Sequence, residues 1–384
     1  MRLLLAGGLA LAVFTAACGD NAVAPKSPAD PQATASELAA LVSLFNAPAL
    51  QSLSSVQITV PTSAPAPVHA LALAAATNPL HHSTRLEPYA RRIDAARVFA
   101  GLLSENSTSS TAALLPPAYV GKTFEWDFTN HLYDTTARAG APSNGVRFIL
   151  YAIDPLTLEP AGPAPGTEVG YIDLKDESGS TPKVHVTVAG VGGTPVYVDY
   201  TVTLTSQSGT SVKISTSGYI TNGADSPDSL RFGGAISAAV SGTSSTTTVT
   251  VTEDVSFDVN SQDIHVRNWQ RLTLTETSSQ TSVSIRLSFR FDHAGEVVTL
   301  DGSLNATSVG DVSGTVTAKV DGGLYATCSV TGTSNSYTLT CQGADADGLS
   351  ADDNAALDAL GNAAGNVTAV FEGLLGPSLG VLGA

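Results

Sequence analysis

The chain has 384 residues, of which 43% are hydrophobic and 14% are charged, and its formal net charge at pH 7 is −16. This length and composition allow a sizeable core, whereas the negative charge repels phosphate backbones and argues against nucleic acid as a partner. Aromatic residues make up 6% of the chain. The many Ser, Thr, Val and Gly residues favour a sheet with small side chains on its wet face.

The N-terminus has the pattern of an export signal. It begins with Met1-Arg2, continues with an apolar run over 3–14, and then reads Thr15-Ala16-Ala17-Cys18. A spanning helix needs about 20 apolar residues, so the shorter run predicts a cleaved signal over residues 1–17. An ordinary secretory signal, cut after the same small residues, is the alternative.

Small residues directly before Cys18 resemble the lipobox of bacterial lipoproteins, which signal peptidase II reads. The resemblance implies that the thiol of Cys18 is diacylated and that its new amino group is acylated. Such acyl chains attach a protein to the membrane without a transmembrane helix. Gly19, rather than Asp, follows the cysteine, which implies the outer membrane of the cell envelope and leaves its periplasmic and surface faces both open.

Two segments separate the anchor from the main domain. Residues 18–33 are rich in Pro and are expected to form a lipid-anchored tether. Residues 34–118 are predicted to be a helical and Pro/Ala-rich region. A first helix would start at the capping box Thr34-x-x-Glu37, and a second would cover 89–103.

From 119 to 344 the hydrophobic pattern has a period of two. It predicts a mainly β (α+β) protein, in which about fourteen strands form an antiparallel meander, as a strongly curved sheet or partial barrel. Matching apolar partners sets the register, for example Val259 with Ile264 and Leu304 with Val312.

The same register sets Cys328 opposite Cys341. An even number of cysteines beyond Cys18 in an exported chain also indicates a disulfide. A cross-strand bridge in the last hairpin is therefore expected.

The last segment, 345–384, is predicted to be a helix that starts at Ser350-x-x-Asp353. Together with the N-terminal helices it would pack on the apolar face of the sheet, because a one-sided sheet must cover that face. This arrangement looks broadly like envelope lipoproteins of the lipoprotein-carrier or glycolipid-carrier type, a resemblance of architecture without a shared motif.

One cluster on the polar face is a candidate site for an anionic ligand. The predicted register places two pairs of arginines opposite each other, with a tryptophan between the pairs: Arg267 with Arg290, Arg271 with Arg286, and Trp269. Guanidinium groups beside an indole can bind a carboxylate, a phosphate or an acidic saccharide. The alternative is a solvated face on which the arginines pair with Asp254, Asp258 and Asp292.

Three polar residues, Glu253, Asn268 and Gln270, fall on the apolar face. Buried polar groups need hydrogen-bond partners, so we expect a small network. It could anchor the polar end of a lipid in a cavity, or it could mark where a helix end or loop supplies partners.

No metal or cofactor is expected. The acids at 345–353 fail the calcium-loop pattern, since Gly343 and Asn354 would occupy its key positions. No catalytic motif is present, which predicts a protein without enzymatic activity, although a site assembled from distant residues stays open.

Two hypotheses for function follow. The first is an envelope binding or carrier protein for a lipid or amphiphile, which would use the apolar concavity. The second is a structural or adhesive surface lipoprotein that contacts a polysaccharide or a protein through the Arg/Trp face.

Overall fold

The computed structural model is organised around one large sheet. It describes residues 25–43, 49, 52–56, 115 and 117–382 apart from 155, 157–158, 163–165, 209, 222, 224–229, 244, 260–261, 308–310, 334–335 and 346–347. The predicted signal, Cys18 and the predicted helix 89–103 lie outside these residues.

Within this part of the chain, fifteen strands follow one another in a single sheet that does not close. Their bounds are β1 Thr123–Asp127, β2 Leu132–Thr136, β3 Gly145–Tyr151, β4 Glu168–Asp176, β5 Lys183–Ala189, β6 Val196–Ser208, β7 Ser211–Ile220, β8 Leu230–Thr243, β9 Thr246–Val259, β10 Ile264–Thr277, β11 Thr281–His293, β12 Glu296–Thr307, β13 Asp311–Val320, β14 Gly323–Thr333 and β15 Ser336–Gly343. The mainly β fold with a meander of strands is confirmed.

The first hairpin departs from a simple meander. The strand order at this edge is β3-β1-β2, so β1 runs parallel to β3 while β2 forms the edge of the sheet. Phe124 of β1 stacks on Phe148 of β3, with ring centroids 4.6 Å apart. The polar sequence of β2, LYDTT, suits an exposed edge strand.

The register of the central strands matches the expected one. Val259 pairs with Ile264, and Cys328 pairs with Cys341. The expected pairing of Leu304 with Val312 is wrong, because Leu304 lies opposite Gly314. A shift of two residues keeps every side chain on the same face, so apolar alternation does not distinguish these two registers.

Two helices cover the apolar face. Helix α1 (Pro31–Ser43) begins three residues before the expected capping box, because Asp30 caps it through a 2.9 Å hydrogen bond to the amide of Ala33. Residues 31–33, expected in the tether, are therefore helical. Leu38 of α1 is buried, and α1 packs against the long C-terminal helix.

Helix α2 (Ala351–Leu382) starts at the predicted capping box. Ser350 Oγ accepts from the amide of Asp353 at 3.1 Å, and the Asp353 carboxylate accepts from the amide of Ser350 at 2.9 Å. Burial opposes ionisation of Asp353, but the hydrogen bonds from Ser350 hold its pKa below the ordinary value.

The buried side of α2 joins the core of the sheet. The large apolar side chains of α2 that are buried against the sheet are Leu357, Leu360, Val367, Val370, Phe371, Leu374 and Leu375. Tyr200 of β6 donates its hydroxyl to the carbonyl of Leu374, and burial raises the pKa of this tyrosine.

The cysteine pair bonds β14 to β15, with a Cα–Cα distance of 4.0 Å and a sequence separation of 13. A disulfide that closes a loop of about 15 residues stabilises a protein by about 3 kcal/mol. Replacing Cys328 and Cys341 together with alanine should lower the free energy of unfolding by about that amount, measured by urea denaturation. Reductant should give the same loss in the wild type and no further loss in the double variant; equal stability in all four samples would contradict the bridge.

Candidate functional site

The Arg/Trp face lies where the sequence places it. Arg267 is opposite Arg290 and Arg271 is opposite Arg286, across β10 and β11. All four arginines are exposed, and Trp269 between the pairs is half-buried. The structure therefore brings the five predicted side chains together on the polar face.

The two arginine pairs differ in their partners. Arg267 binds Asp254 through two hydrogen bonds of 3.0 and 2.8 Å, and Arg290 binds Asp292 at 3.0 and 2.7 Å. These hydrogen bonds raise the pKa of both arginines. Asp258 contacts His265 at 2.7 Å instead of an arginine. The alternative expected from sequence thus holds for one pair only.

Arg271 and Arg286 make no ion pair or side-chain hydrogen bond to any residue that the structure describes. They are flanked across the sheet by Thr252 on β9 and Ser303 on β12. Like charges directly opposite each other destabilise a sheet. Among the described residues, no side chain uses the donors of these two guanidinium groups, which lie beside hydroxyl groups.

The register extends this row to a cation that sequence analysis missed. Thr252 lies opposite Ser237 of β8, and Ser237 lies opposite Lys213 of β7. Lys213 is exposed and also has no ion pair within the described residues. We call Lys213, Arg271 and Arg286 the cation row. The signal in the sequence that identifies Lys213 is the pairing of β8 with both of its neighbours, β7 and β9.

The polar residues of the apolar face contact α2. Asn268 Nδ2 donates to the carbonyl of Ala364 at 3.0 Å and to Thr368 Oγ1 at 2.6 Å, and Gln270 Nε2 donates to Thr368 Oγ1 at 2.8 Å. Glu253 lies opposite Gln270 and is buried. The expected network exists, and its partner is the middle of a helix rather than a helix end or loop.

One crevice on this face is lined by residues that the structure describes. A crevice of about 60 Å³ lies between β11–β15 and α2, beside the disulfide. Its apolar lining includes Leu287, Leu300, Leu304, Val330 and Leu357. Small-molecule sites usually measure about 300–1,000 Å³, so the crevice is too small for a lipid tail or a drug-sized ligand.

The described histidines pair with carboxylates. His131 contacts Glu159 at 2.7 Å, and His293 contacts Glu37 at 2.7 Å. None of the described rings hydrogen-bonds to a serine or cysteine side chain, as a nucleophile would require. Nor do the described residues contain a group of three metal-ligating side chains.

The fold and the site together define a mainly β protein with an open, helix-covered sheet and a cationic row on its exposed face. No protein-family model matches the chain, and neither any curated protein nor any solved structure matches it. Among the described helices, none has the length and apolar character needed to cross a membrane.

Proposed function

We propose that the chain is a lipid-anchored protein of the cell envelope that binds an acidic polysaccharide through the cation row. The observation that carries the proposal is the contrast between the two arginine pairs. Asp254 and Asp292 neutralise Arg267 and Arg290, whereas Arg271 and Arg286 face each other without an acidic partner in the described part of the chain. A polyanion supplies the missing charge, and its carboxylates suit the forked donors of arginine.

The shape of the site suits an extended ligand. The cation row crosses five strands, and neighbouring strands lie about 4.8 Å apart, so Lys213 and Arg286 are about 19 Å apart along the sheet. Trp269 offers an apolar ring next to the row, on which a sugar ring can lie. A carrier function for a lipid is the weaker candidate, because α2 occupies the centre of the apolar face.

The proposal is tested with a matched pair of double variants. Replacing Arg271 and Arg286 with serine should weaken binding of polygalacturonate about 10-fold to 100-fold, because a hydrogen bond contributes about 0.5–1.5 kcal/mol net and two arginines are removed. Affinity of the full-length protein is measured by titration at low and high salt, with neutral dextran as the ligand control. Binding should weaken as salt rises.

The control replaces Arg267 and Arg290, which already have acidic partners, with serine. This variant removes the same number of charges from the same strands and should bind at nearly the wild-type affinity. If both variants lose binding equally, general charge rather than the cation row attracts the polymer. If the wild type does not bind polygalacturonate, the proposed ligand is wrong.

Replacing Arg271 and Arg286 with threonine tests the like-charge contact through its effect on stability. Removing Arg271 and Arg286 relieves a like-charge contact and should raise the free energy of unfolding by about 0.2–1 kcal/mol. Thermal unfolding of the variant with threonine at both positions, which fits a strand well, would show this as a higher Tm. A lower Tm would mean that Arg271 and Arg286 stabilise the sheet, which would contradict a role in ligand binding at the expense of stability.

A further inference from the structure

One end of the sheet is distinguished by its contact with the N-terminal segment. We define the N-terminal rim by the described residues of the connections 128–131, 152–167, 190–195, 294–295 and 321–322, which lie at this end. The connections 177–182 and 278–280 lie at the opposite rim. The strand ends at the N-terminal rim stay nearly level, since Val198 pairs with Ile220 and Ile220 with Leu230.

Lys26 fixes the chain to the N-terminal rim. Its amide donates to the carbonyl of Leu324 at 3.0 Å, and its ammonium group binds Asp321 and lies 3.9 Å from Glu296. The amide of Ala29 also donates to Glu296, at 3.1 Å. The segment that leads towards the anchor is therefore held at this rim before α1 begins.

The distance from Lys26 to the expected anchor is short. Cys18 precedes Lys26 by eight residues, which span at most about 29 Å when fully extended. A strand such as β6, with 13 residues, is about 43 Å long. Cys18 therefore cannot reach the level of the opposite rim while Lys26 stays bound.

Exposed aliphatic side chains gather at the same rim. Leu132, Leu156, Val191 and Leu324 have exposed fractions of 48%, 92%, 57% and 37%. Each lies in a connection of the N-terminal rim or within two residues of one. The other two large apolar side chains exposed in the described part, Tyr119 and Val120, lie near the opposite rim, close to Gly145.

We propose that the N-terminal rim rests on the bilayer surface, with Leu156 and Val191 inserted at the boundary between headgroups and acyl chains. This proposal rests on lipidation of Cys18. Asp154 on the rim and Asp263, in the connection between β9 and β10 at the same end of the sheet, disfavour an anionic bilayer, so the partner is a zwitterionic lipid surface. The strands then rise from the membrane, and Arg271, seven residues from the start of β10, stands about 23 Å above it.

Tryptophan fluorescence can test this orientation, because the chain has only two tryptophans, Trp126 and Trp269. Both are replaced with phenylalanine, and Leu156→Trp or Val191→Trp then supplies a single reporter at the N-terminal rim. The lipidated full-length protein is incorporated into phosphatidylcholine vesicles with brominated acyl chains. A side chain about 5–10 Å deep at the boundary should lose fluorescence relative to vesicles without bromine, because it lies within contact of the brominated chains.

Two controls report on the alternatives. Val120→Trp places an exposed reporter near the opposite rim, and a variant that keeps Trp269 and loses only Trp126 reports on the polar face. Neither should be quenched. Quenching of Val120→Trp, or of Trp269, would overturn the proposal in favour of an inverted or flat orientation, and absence of quenching at Leu156→Trp and Val191→Trp would also overturn it.

A separate measurement distinguishes failure of the lipid anchor from failure of the proposed orientation. The mass of the N-terminal peptide shows whether Cys18 carries acyl chains. An unmodified peptide would contradict the lipid-anchored function itself. Acylated protein without quenching at the N-terminal rim would contradict only the orientation.

Discussion

Replacing Phe371 with alanine is expected to lower the free energy of unfolding by about 3–5 kcal/mol, the usual cost of removing a buried aromatic side chain. Phe371 lies in α2 and is fully buried. It fills the space that Gly234 leaves on β8, where an added Cβ would come within 3.0 Å of Phe371 Cζ. Alanine would leave a cavity between the helix and the sheet that neither element can close.

Urea denaturation followed by circular dichroism measures this loss, and two variants serve as controls. Phe371→Leu keeps most of the apolar volume and should cost less than about 1.5 kcal/mol. Leu156→Ala removes an exposed side chain and should change stability by less than about 0.5 kcal/mol. If Phe371→Ala were as mild as Leu156→Ala, α2 would not be packed on this face.

The sheet could be predicted from sequence because burial on one face gives each strand a period of two. Apolar partners fixed the pairing of Val259 with Ile264, and the same register brought Cys328 to Cys341. For β12 and β13 the pattern predicts a register that differs by two residues from the observed one, because Leu304 lies opposite Gly314 and not Val312. Alternation fixes the face of a residue, while the length and geometry of the turn fix the partner.

The order of the first strands was not predictable in the same way. An alternating strand carries no mark of the direction of its neighbour, so the parallel pairing of β1 with β3 had no signal in the sequence. The start of α1 was missed for a local reason. Asp30 caps the helix, while the threonine expected to cap it, Thr34, donates its hydroxyl to the carbonyl of Asp30 from inside the helix.

The candidate site was predicted in position but not in pairing. Strand register places Arg267 opposite Arg290, but its ion pair forms with Asp254, the residue opposite Trp269. A long side chain reaches diagonal neighbours as easily as direct ones, so side-chain conformation decides which arginines are neutralised. The sequence therefore left open which two guanidinium groups would be unpaired.

A second large effect is expected at the buried network under α2. Thr368 Oγ1 accepts from Asn268 and Gln270, and it donates to the carbonyl of Ala364 at 3.1 Å. Thr368→Val keeps the shape and removes the hydroxyl, which leaves buried amide groups short of an acceptor. Each unsatisfied buried group costs about 1–3 kcal/mol, so we expect a loss of about 2–4 kcal/mol in the free energy of unfolding.

Two further variants separate the hydrogen bonds from packing. Thr368→Ser keeps the hydroxyl and should lose about 1 kcal/mol or less, the cost of one methyl group. Combining Thr368→Val with Asn268→Leu and Gln270→Leu replaces the donors as well as the acceptor and should recover part of the loss, because an apolar replacement of both partners is nearly neutral while the buried Glu253 loses its polar neighbour Gln270. A triple variant less stable than Thr368→Val would contradict this account.

The triple variant also distinguishes the two functions considered for the chain. If Asn268 and Gln270 serve only to hold α2, it should bind polygalacturonate as the wild type does, since the cation row lies on the other face of β10. If the apolar face instead opens to receive an amphiphile, removing its polar groups should abolish that binding while polygalacturonate binding persists. Lipid extracted from the wild type and the triple variant and compared by mass spectrometry decides between the two, and we expect no lipid in the core of either.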